Sequence, residues 1–318
     1  MISGPMPLMS PILTPMMGFS CMISDLNTAS LCFFEQYCRR FAIFFAPEVQ
    51  SRRVLPIFAI VSNMYTLKKS LGQHFLTDEN ISQKIVEALC ENPFSRLLEI
   101  GPGGGALTKY FLKIPDIDFK AVELDEEKVI FLEKNFPSIK GKIIHQSVLD
   151  MDKPFDAPFT VIGNFPYNIS SQILFKVLDW KGSVEVLVGM FQKEMAQRVA
   201  AKHGNKTYGV ISVLVQAFFQ VEYLFDVHEN CFQPPPKVKS GVIRMKPRLP
   251  VPDMRSEADF FILVKAAFNQ RRKMLRNAVK SLFTAEVLND AFFNKRAEQL
   301  SVEDFAQLTF KMLPRSAK

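Results

Sequence analysis

The fold class is decided by the stretch RLLEIGPGGGALTKYFLKIPDIDFKAVELD, residues 96–125. A short apolar run at residues 96–100 leads into the glycines of residues 101–105, and residues 106–112 then have helical character. A second apolar run follows at residues 119–124, and it contains Glu123 and is followed by Asp125. A strand, a glycine-rich turn, a helix and a second strand in this order predict a parallel α/β sheet with right-handed crossovers.

The glycine turn and the acid after it predict a nucleoside site. Glycines at a strand-to-helix turn let the backbone approach a ligand closely, and the start of a helix offers unpaired N–H groups. Glu123 ends the second strand, about 20 residues after Gly101, where an acid typically binds both hydroxyls of a ribose. The spacing GxGxG, instead of GxGxxG, favours a nucleoside cofactor without a pyrophosphate, such as S-adenosylmethionine, over NAD. A plain structural turn is the alternative.

Outward from this stretch, strands and helices continue to alternate and then give way to helices alone. Further strands are predicted at residues 142–145, 159–162 and 184–190, with helices at residues 126–135 and 171–178. After the proline-rich residues 247–252, the chain shows helical spacing of Phe, Leu and Ala over residues 258–313. The sequence therefore predicts a Rossmann-like α/β domain at residues 64–247 and a small all-helical C-terminal domain at residues 253–318.

The first 63 residues differ from the rest of the chain. They hold six methionines and three of the five cysteines but few charged residues. We interpret residues 1–63 as a leader that is not part of the fold, with Met64 as the natural start. A targeting segment is the alternative, although the positively charged beginning of a secretory signal is missing.

Composition limits the function classes. The 318 residues carry 39 Lys and Arg against 32 Asp and Glu, and this net charge of +7 suits a polyanion such as RNA, DNA or an anionic membrane surface. Five cysteines without a CxxC pair and four histidines without HExxH argue against a disulfide framework and a structural zinc site, so no metal is expected. Free thiols indicate a reducing compartment, the cytoplasm. The chain has no run of the ~18 apolar residues that a membrane span needs, and no membrane partner is expected.

The motif NFPYNIS, residues 164–170, follows the fourth predicted strand, where open α/β sheets bind their ligands. The side-chain oxygen of Asn164 and the carbonyl of Phe165 could each accept a hydrogen bond from an exocyclic amine. Pro166 would hold that carbonyl in place, and Tyr167 could stack on a planar base. A cis-proline turn with a packed tyrosine is the alternative interpretation.

The motif FQPPPKV, residues 232–238, places consecutive prolines after an aromatic residue. Prolines stiffen a loop, and Phe232 at its entrance could close on the opposite face of a base. A simple connecting loop explains the motif equally well.

The motif FNQRRKMLRN, residues 268–277, concentrates cations on a predicted helix. No acid lies between Asp259 and Glu286, whereas a solvated helix face usually alternates its charges. The cluster therefore favours contacts with phosphates, which supply most of the nonspecific affinity for nucleic acids. A solvated helix face is the alternative. The four cations are Arg271, Arg272, Lys273 and Arg276.

In their order along the chain, these motifs resemble those of the ribosomal RNA adenine N6-dimethyltransferases. The resemblance covers residues 65–315 and includes KKSLGQHFL, EIGPGGGALT, AVELD, GNFPYNIS, MFQKEMAQR, YGVISV, FQPPPKVKS and FNQRRKMLRN. It is greatest for the small-subunit branch linked to kasugamycin sensitivity and weaker for the macrolide-resistance branch that acts on the large subunit. It implies an S-adenosylmethionine-dependent methyltransferase sheet with a helical C-terminal domain that helps to hold RNA.

The resemblance also implies the reaction and the site residues. Family members dimethylate two adjacent adenosines in a hairpin near the 3′ end of small-subunit (16S) rRNA, which gives them a role in ribosome biogenesis. We expect this chain to act as a cytoplasmic monomer on a pre-30S particle. By motif position, the implied cofactor contacts are Gln73, His74, Leu76, Gly101, Gly103, Glu123 and Asn164. The implied base pocket is Asn164, Phe165, Pro166 and Tyr167, with Phe232 as a second stacking face.

One position departs from the family pattern. An acid after the third strand usually receives the adenine amine of the cofactor, and the aligned residue here is Ser147. A hydroxyl can accept this hydrogen bond but without the charge assistance of a carboxylate. The sequence therefore predicts weaker cofactor binding than is usual in the family.

Three other functions are compatible with parts of the sequence. An assembly or transcription factor could keep this scaffold for RNA or DNA binding without catalysis, although intact Glu123 and NFPY argue against lost activity. A DNA adenine methyltransferase would usually carry PPY or PPW where this chain has NFPY. A large-subunit rRNA methyltransferase would differ in the RNA that it modifies.

Overall fold

Residues 74–314 are described in the computed structural model of the protein, and they contain a seven-stranded sheet of order β4-β3-β2-β5-β6-β9-β7. The first five strands in this order run parallel, β9 pairs antiparallel with β6, and β7 at the far edge pairs antiparallel with β9. The strands are β2 Arg96–Ile100, β3 Asp118–Glu123, β4 Ile143–His145, β5 Phe159–Asn164, β6 Val184–Gln192, β7 Phe219–Val227 and β9 Ser240–Pro247. The predicted α/β sheet is confirmed, and its order reverses direction between β2 and β5, where such sheets bind ligands.

Helices cover the sheet and connect its parallel strands. In chain order they are α1 Glu79–Cys90, α2 Thr108–Phe111, α3 Glu126–Asn135, α4 Ser170–Asp179, α5 Lys193–Ala200 and α6 Val210–Gln216. Asp78 caps α1 and Asp125 caps α3 through their side-chain oxygens, and these bonds begin both helices just after a strand. Only residues 108–111 of the predicted helix 106–112 are helical, because the glycine turn extends through residue 107.

A small two-stranded sheet joins two distant parts of the chain. Strand β1, Phe75–Leu76, pairs antiparallel with β8, Phe232–Gln233. The backbone N–H groups of Thr77 and Asp78 also donate to the carbonyl of Cys231. We call β1 and β8 together the clasp. The clasp places the first described residues next to the FQPPPKV motif at residues 232–238.

The chain beyond the sheet is helical, as predicted. It comprises α7 Glu257–Asn269, α8 Leu275–Ala278, α9 Ala285–Leu288 and α10 Val302–Thr309, separated by short 3-10 turns. Phe260, Leu263, Phe293 and Phe305 are fully buried among these helices. The division into domains at residues 64–247 and 253–318 stays a prediction, and the proposed leader lies outside the described residues. No helix within residues 74–314 is long and apolar enough to cross a membrane.

The prediction that the basic cluster lies on a helix is wrong for three of its four cations. Helix α7 ends at Asn269, and Arg271, Arg272 and Lys273 lie in the turn before α8. Gln270, with φ and ψ of −118° and 54°, leaves the helical conformation. The guanidinium of Arg271 then pairs with Glu298 at 3.1 Å and donates to two carbonyls of residues 206–208. Arg276 alone lies on α8.

Candidate active site

The glycine turn after β2 has the conformation that a close approach to a ligand requires. Gly101 and Gly103 have φ angles of +68° and +57°, in the left-handed region that side chains disfavour. The N–H of Gly101 bonds to the carbonyl of Val122 at 3.0 Å and fixes the turn to the end of β3. A Cβ on Gly101 would lie 3.7 Å from Pro166. The glycine turn and the NFPY motif are therefore direct neighbours.

Glu123 is held rigidly beside this turn. Its carboxylate is 6% exposed, and one oxygen accepts from the N–H groups of Leu124 at 2.9 Å and Asp125 at 3.0 Å. The other oxygen accepts from the N–H of Gly103 at 3.4 Å and lies 3.7 Å from the ammonium of Lys128. A carboxylate has about four acceptor positions, so this second oxygen keeps capacity for a ribose hydroxyl at the glycine turn.

An exposed leucine beside Glu123 was not among the predicted site residues. Leu124 is 58% exposed at the end of β3, and its carbonyl lies 3.2 Å from Nε2 of His145, which ends β4. Ser147 follows on the same side, half-buried, and its hydroxyl accepts from the N–H of Leu149 at 3.2 Å. In the sequence, Leu124 reads as another strand residue of AVEL, and nothing there separates an exposed leucine from a buried one.

Asn164 ends β5 with its amide held in one orientation. Its Nδ2 donates to the carbonyl of His74 at 3.1 Å. This bond uses the donor side of the amide and directs Oδ1, the acceptor, away from His74. The ring of His74 is fixed in turn, because its Nδ1 lies 2.8 Å from the carbonyl of Pro234. His74 and Pro234, which flank the two strands of the clasp, therefore set the orientation of Asn164.

Phe165 is anchored through both its backbone and its ring. Its N–H donates to the carbonyl of Met190 on β6 at 3.1 Å, and its ring is 1% exposed, packed edge-on against Phe191 with centroids 4.9 Å apart. Pro166 then begins the short 3-10 turn Tyr167–Ile169. Because ring and N–H are both fixed, the Phe165 carbonyl stays next to Asn164.

Tyr167 is held at its ring and at its hydroxyl. Its hydroxyl makes a hydrogen bond with Oγ of Ser240, and its ring centroid lies 5.6 Å from that of His74 with a tilt of 32°. Burial raises the pKa of the Tyr167 phenol above its usual value, although the bond with Ser240 opposes this change. The phenol is therefore neutral at physiological pH and can act as a stacking surface without charge.

Two predicted site residues are buried in the clasp, and one lies outside the described chain. Leu76 and Phe232 are partners in the β1–β8 pair and are 3% and 2% exposed, within one hydrophobic cluster. Phe232 could stack on a base only if its ring moved out of this cluster, so that role stays a prediction, as does the cofactor contact of Leu76. Gln73 precedes the described residues.

Two cations of the basic cluster bond to other parts of the protein. Arg271 binds Glu298 and the loop at residues 206–208, and Arg276 donates to the side chain of Asn294. Arg272 and Lys273 are exposed. Two of the four predicted phosphate ligands are thus free to turn toward RNA, whereas Arg271 and Arg276 already have partners within the protein.

Glu99 is a buried acid beside the glycine turn. It is 1% exposed on β2, and the hydroxyl of Thr108 donates to its carboxyl at 2.7 Å. Burial raises the pKa of Glu99 to about 8; the Thr108 bond opposes the increase and the nearby Glu123 adds to it. Glu99 therefore keeps its proton at neutral pH and adds no second negative charge next to Glu123.

Replacing Glu99 by glutamine is expected to remove a pH dependence of stability. In the unfolded chain this carboxyl ionises near its usual pKa of 4.5, but in the folded chain only near 8. The wild type therefore loses unfolding free energy between pH 4.5 and 8, by up to about 1.4 kcal/mol per pH unit from this group. Glu99→Gln should show a flatter profile in chemical denaturation at pH 5.5 and 8.5. Glu185→Gln, at an exposed acid of β6, is the control, and parallel wild-type and Glu99→Gln profiles would contradict the assignment.

Comparisons of sequence identify a family and close relatives over most of the chain. A family model described as ribosomal RNA adenine dimethylase matches residues 64–312. The ribosomal RNA small subunit methyltransferase A of Cytophaga hutchinsonii is 52% identical over 246 residues, which are 76% of this chain and 95% of that protein. The protein of the same name from Flavobacterium johnsoniae is 49% identical over 249 residues, covering 77% and 95% of the two chains.

Comparisons of structure agree on the fold. A dimethyladenosine transferase from Plasmodium falciparum superposes with a TM-score of 0.62 at 24% identity, covering 74% of this chain and 96% of that one. The 23S rRNA methyltransferase ErmE superposes with a TM-score of 0.59 at 21% identity, covering 75% and 99%. At these identities the superpositions support the methyltransferase fold alone.

Proposed function

The chain belongs to the ribosomal RNA adenine dimethylase family, and we propose that it dimethylates N6 of two adjacent adenosines in the 3′-terminal hairpin of 16S rRNA. It is an enzyme of this family with S-adenosylmethionine as cofactor. The observation that carries the proposal is the fixed amide of Asn164, whose acceptor oxygen is directed away from His74 at the end of β5. We further propose that it acts as a monomer in the cytoplasm on a pre-30S particle.

The residues at the glycine turn fit S-adenosylmethionine. Gly101 and Gly103 adopt left-handed conformations that give a ligand access to their backbone, and one oxygen of Glu123 keeps acceptor capacity for the ribose. We propose that exposed Leu124 contacts the adenine ring and that Ser147 accepts from its amine. Gln73, His74 and Leu76 would line the methionine end. When bound, S-adenosylmethionine supplies an electrophilic sulfonium methyl group.

The NFPY residues would prepare the target amine for attack. Adenine N6 is a poor nucleophile because its lone pair is delocalised into the ring. Asn164 Oδ1 and the Phe165 carbonyl would accept the two N–H bonds and favour a pyramidal nitrogen with a localised pair. Both acceptors are fixed before substrate arrives, by the bond to His74 and by the backbone bond to Met190. Transfer then depends mainly on positioning and electrostatics.

The same pocket accounts for two transfers to one nitrogen. To enter, the base must leave its stack, at a cost of a few kcal/mol, and Tyr167 would offer its ring as a replacement stacking surface. In one transfer, N6 gains the methyl group and releases one proton to water, so the monomethylated nitrogen keeps one hydrogen. Rotation about the C6–N6 bond can direct the new methyl group away and present that hydrogen to Asn164 or to the Phe165 carbonyl. The C-terminal cations Arg272 and Lys273 would bind phosphates during both transfers.

Replacing Ser147 by aspartate is expected to strengthen cofactor binding. The Ser147 hydroxyl already accepts from the N–H of Leu149, and a neutral acceptor binds an amine more weakly than a carboxylate does. Charge assistance is worth about 1 kcal/mol, so the Kd for S-adenosylmethionine should fall roughly 5-fold. Calorimetric titration measures this change. Ser147→Asn, which adds a neutral acceptor, is the control. If Ser147→Asp binds S-adenosylmethionine no more tightly than the wild type, the serine does not weaken cofactor binding.

The proposed function is tested with labelled S-adenosylmethionine and unmethylated small and large ribosomal subunits. Nuclease digestion and mass spectrometry then locate the product. Dimethyladenosine confined to the small subunit would support the proposal. Label only on the large subunit would assign the chain to the resistance branch, and RNA binding without label on either subunit would indicate a scaffold role.

A further inference from the structure

We propose that Ser240 is a positioning residue for methyl transfer: its hydroxyl fixes the ring of Tyr167 at the angle at which the target base stacks. This inference rests on the proposed function, because it concerns the base pocket of that reaction. Ser240 lies outside NFPY, 73 residues further along the chain, and its Oγ makes the hydrogen bond with the Tyr167 hydroxyl.

Ser240 is a rigid point of attachment. It is the first residue of β9 and is fully buried. Its backbone pairs with Gln192 of β6 on one side and with Val227 of β7 on the other. A serine fixed between two strands cannot follow a moving ring, so its hydroxyl defines where the tyrosine hydroxyl must lie.

Tyr167 needs such an attachment, because its own backbone constrains it less. It begins a 3-10 turn that includes no fully buried residue, and the ring is only partly buried. His74 approaches the ring at 5.6 Å and limits its tilt. The bond at the hydroxyl adds a second fixed point at the far end, so the ring is held before the base enters. A preorganised stacking surface lowers the entropy cost of reaching the reactive geometry.

The bond also suits a neutral phenol. Burial disfavours the phenolate of Tyr167, so the phenol keeps its proton and can exchange donor and acceptor roles with the serine hydroxyl. Losing either hydroxyl removes the same bond. Ser240→Ala and Tyr167→Phe should therefore have equal effects, and the double variant should be no worse than either single one.

The test compares Ser240→Ala, Tyr167→Phe and the double variant in single-turnover methylation of unmethylated small subunits. Each should slow transfer roughly 3- to 10-fold, the range expected for one hydrogen bond, while the Kd values for S-adenosylmethionine and for the subunit stay unchanged. Ser212→Ala is the matched control: Ser212 is also fully buried and hydrogen-bonded, but to Gly209 and Arg198. It should transfer at the wild-type rate.

The outcomes separate this inference from the proposed function. If wild type does not methylate small subunits, the proposed function fails. If wild type is active and Ser240→Ala transfers at its rate, or if the double variant shows the product of the two single effects, the positioning role is overturned. If Ser212→Ala loses as much rate as Ser240→Ala, general destabilisation explains both losses. That result would also overturn the positioning role of Ser240.

Discussion

Replacing Asn164 by alanine is expected to slow methyl transfer about 10²- to 10³-fold while substrate binding persists. The variant lacks Oδ1, one of the two acceptors for the target amine, and it leaves the carbonyl of His74 without its donor. Removing one preorganised hydrogen-bonding group from a transition state typically costs about 10²- to 10³-fold in kcat. Single-turnover methylation of unmethylated small subunits measures the loss. Subunit affinity should change by less than about 2-fold, because phosphate contacts supply most of it.

The controls separate chemistry from folding. Asn135, the last residue of α3, offers a matched control. Its Nδ2 also donates to a backbone carbonyl, that of Phe131 at 2.7 Å. Asn135→Ala should keep the wild-type rate. Asn164→Asp retains an acceptor but cannot donate to His74, so an intermediate rate is expected. Near-normal methylation by Asn164→Ala would refute the assigned role.

Some parts of the site could be predicted from the sequence because each functional residue lies close in sequence to the strand that positions it. The glycine turn, Glu123 and the four residues of NFPY each lie within a few residues of the strand that carries them. Strand alternation and turn residues are short-range signals, and they placed β2, β3 and β5 almost to the residue. Helix α3 was predicted with both of its ends.

The parts that hold the site in place depend on contacts that no local pattern encodes. His74 and Pro234 are 160 residues apart, and Tyr167 and Ser240 are 73 apart. The local sequence predicts Phe232 as a stacking face at the start of a proline loop, whereas pairing of β8 with β1 buries it. Arg271 looked like a helix cation, but a distant acid and two carbonyls take its guanidinium. In each case, contacts between residues far apart in the sequence determine the position and burial of the side chain, and the local sequence does not specify these contacts.

Replacing Gly189 by alanine is expected to lower both the stability of the protein and its rate of methyl transfer, because the new methyl group conflicts with side chains next to the base pocket. A Cβ on Gly189 would lie 2.3 Å from the ring of Phe165 and 2.9 Å from that of Phe191. The other side of the Phe165 ring faces Gly163, where a Cβ would lie 2.6 Å from it, so the ring is packed between two glycines. The ring must therefore shift, and we expect part of that shift to displace the backbone of Phe165.

The expected cost appears in both stability and rate. Overpacking of a core costs about 1–3 kcal/mol, so denaturant unfolding should show a lower midpoint. Because the Phe165 carbonyl is an acceptor for the target amine, a displacement approaching 1 Å should slow transfer about 10²-fold. Gly182→Ala is the matched control, since a Cβ there would meet nothing within 4 Å.

A second substitution distinguishes this conflict from a general intolerance of β6 to change. Phe165→Leu in the Gly189→Ala background removes the ring that the new methyl group meets while keeping the backbone carbonyl. The double variant should recover part of the unfolding midpoint, and with it part of the rate, because the carbonyl can return to its place beside Asn164. If Gly189→Ala unfolds and reacts as the wild type does, the Phe165 ring does not set the position of the carbonyl. If the double variant recovers stability but no activity, the phenyl ring itself, and not only the space it fills, is needed to orient that acceptor.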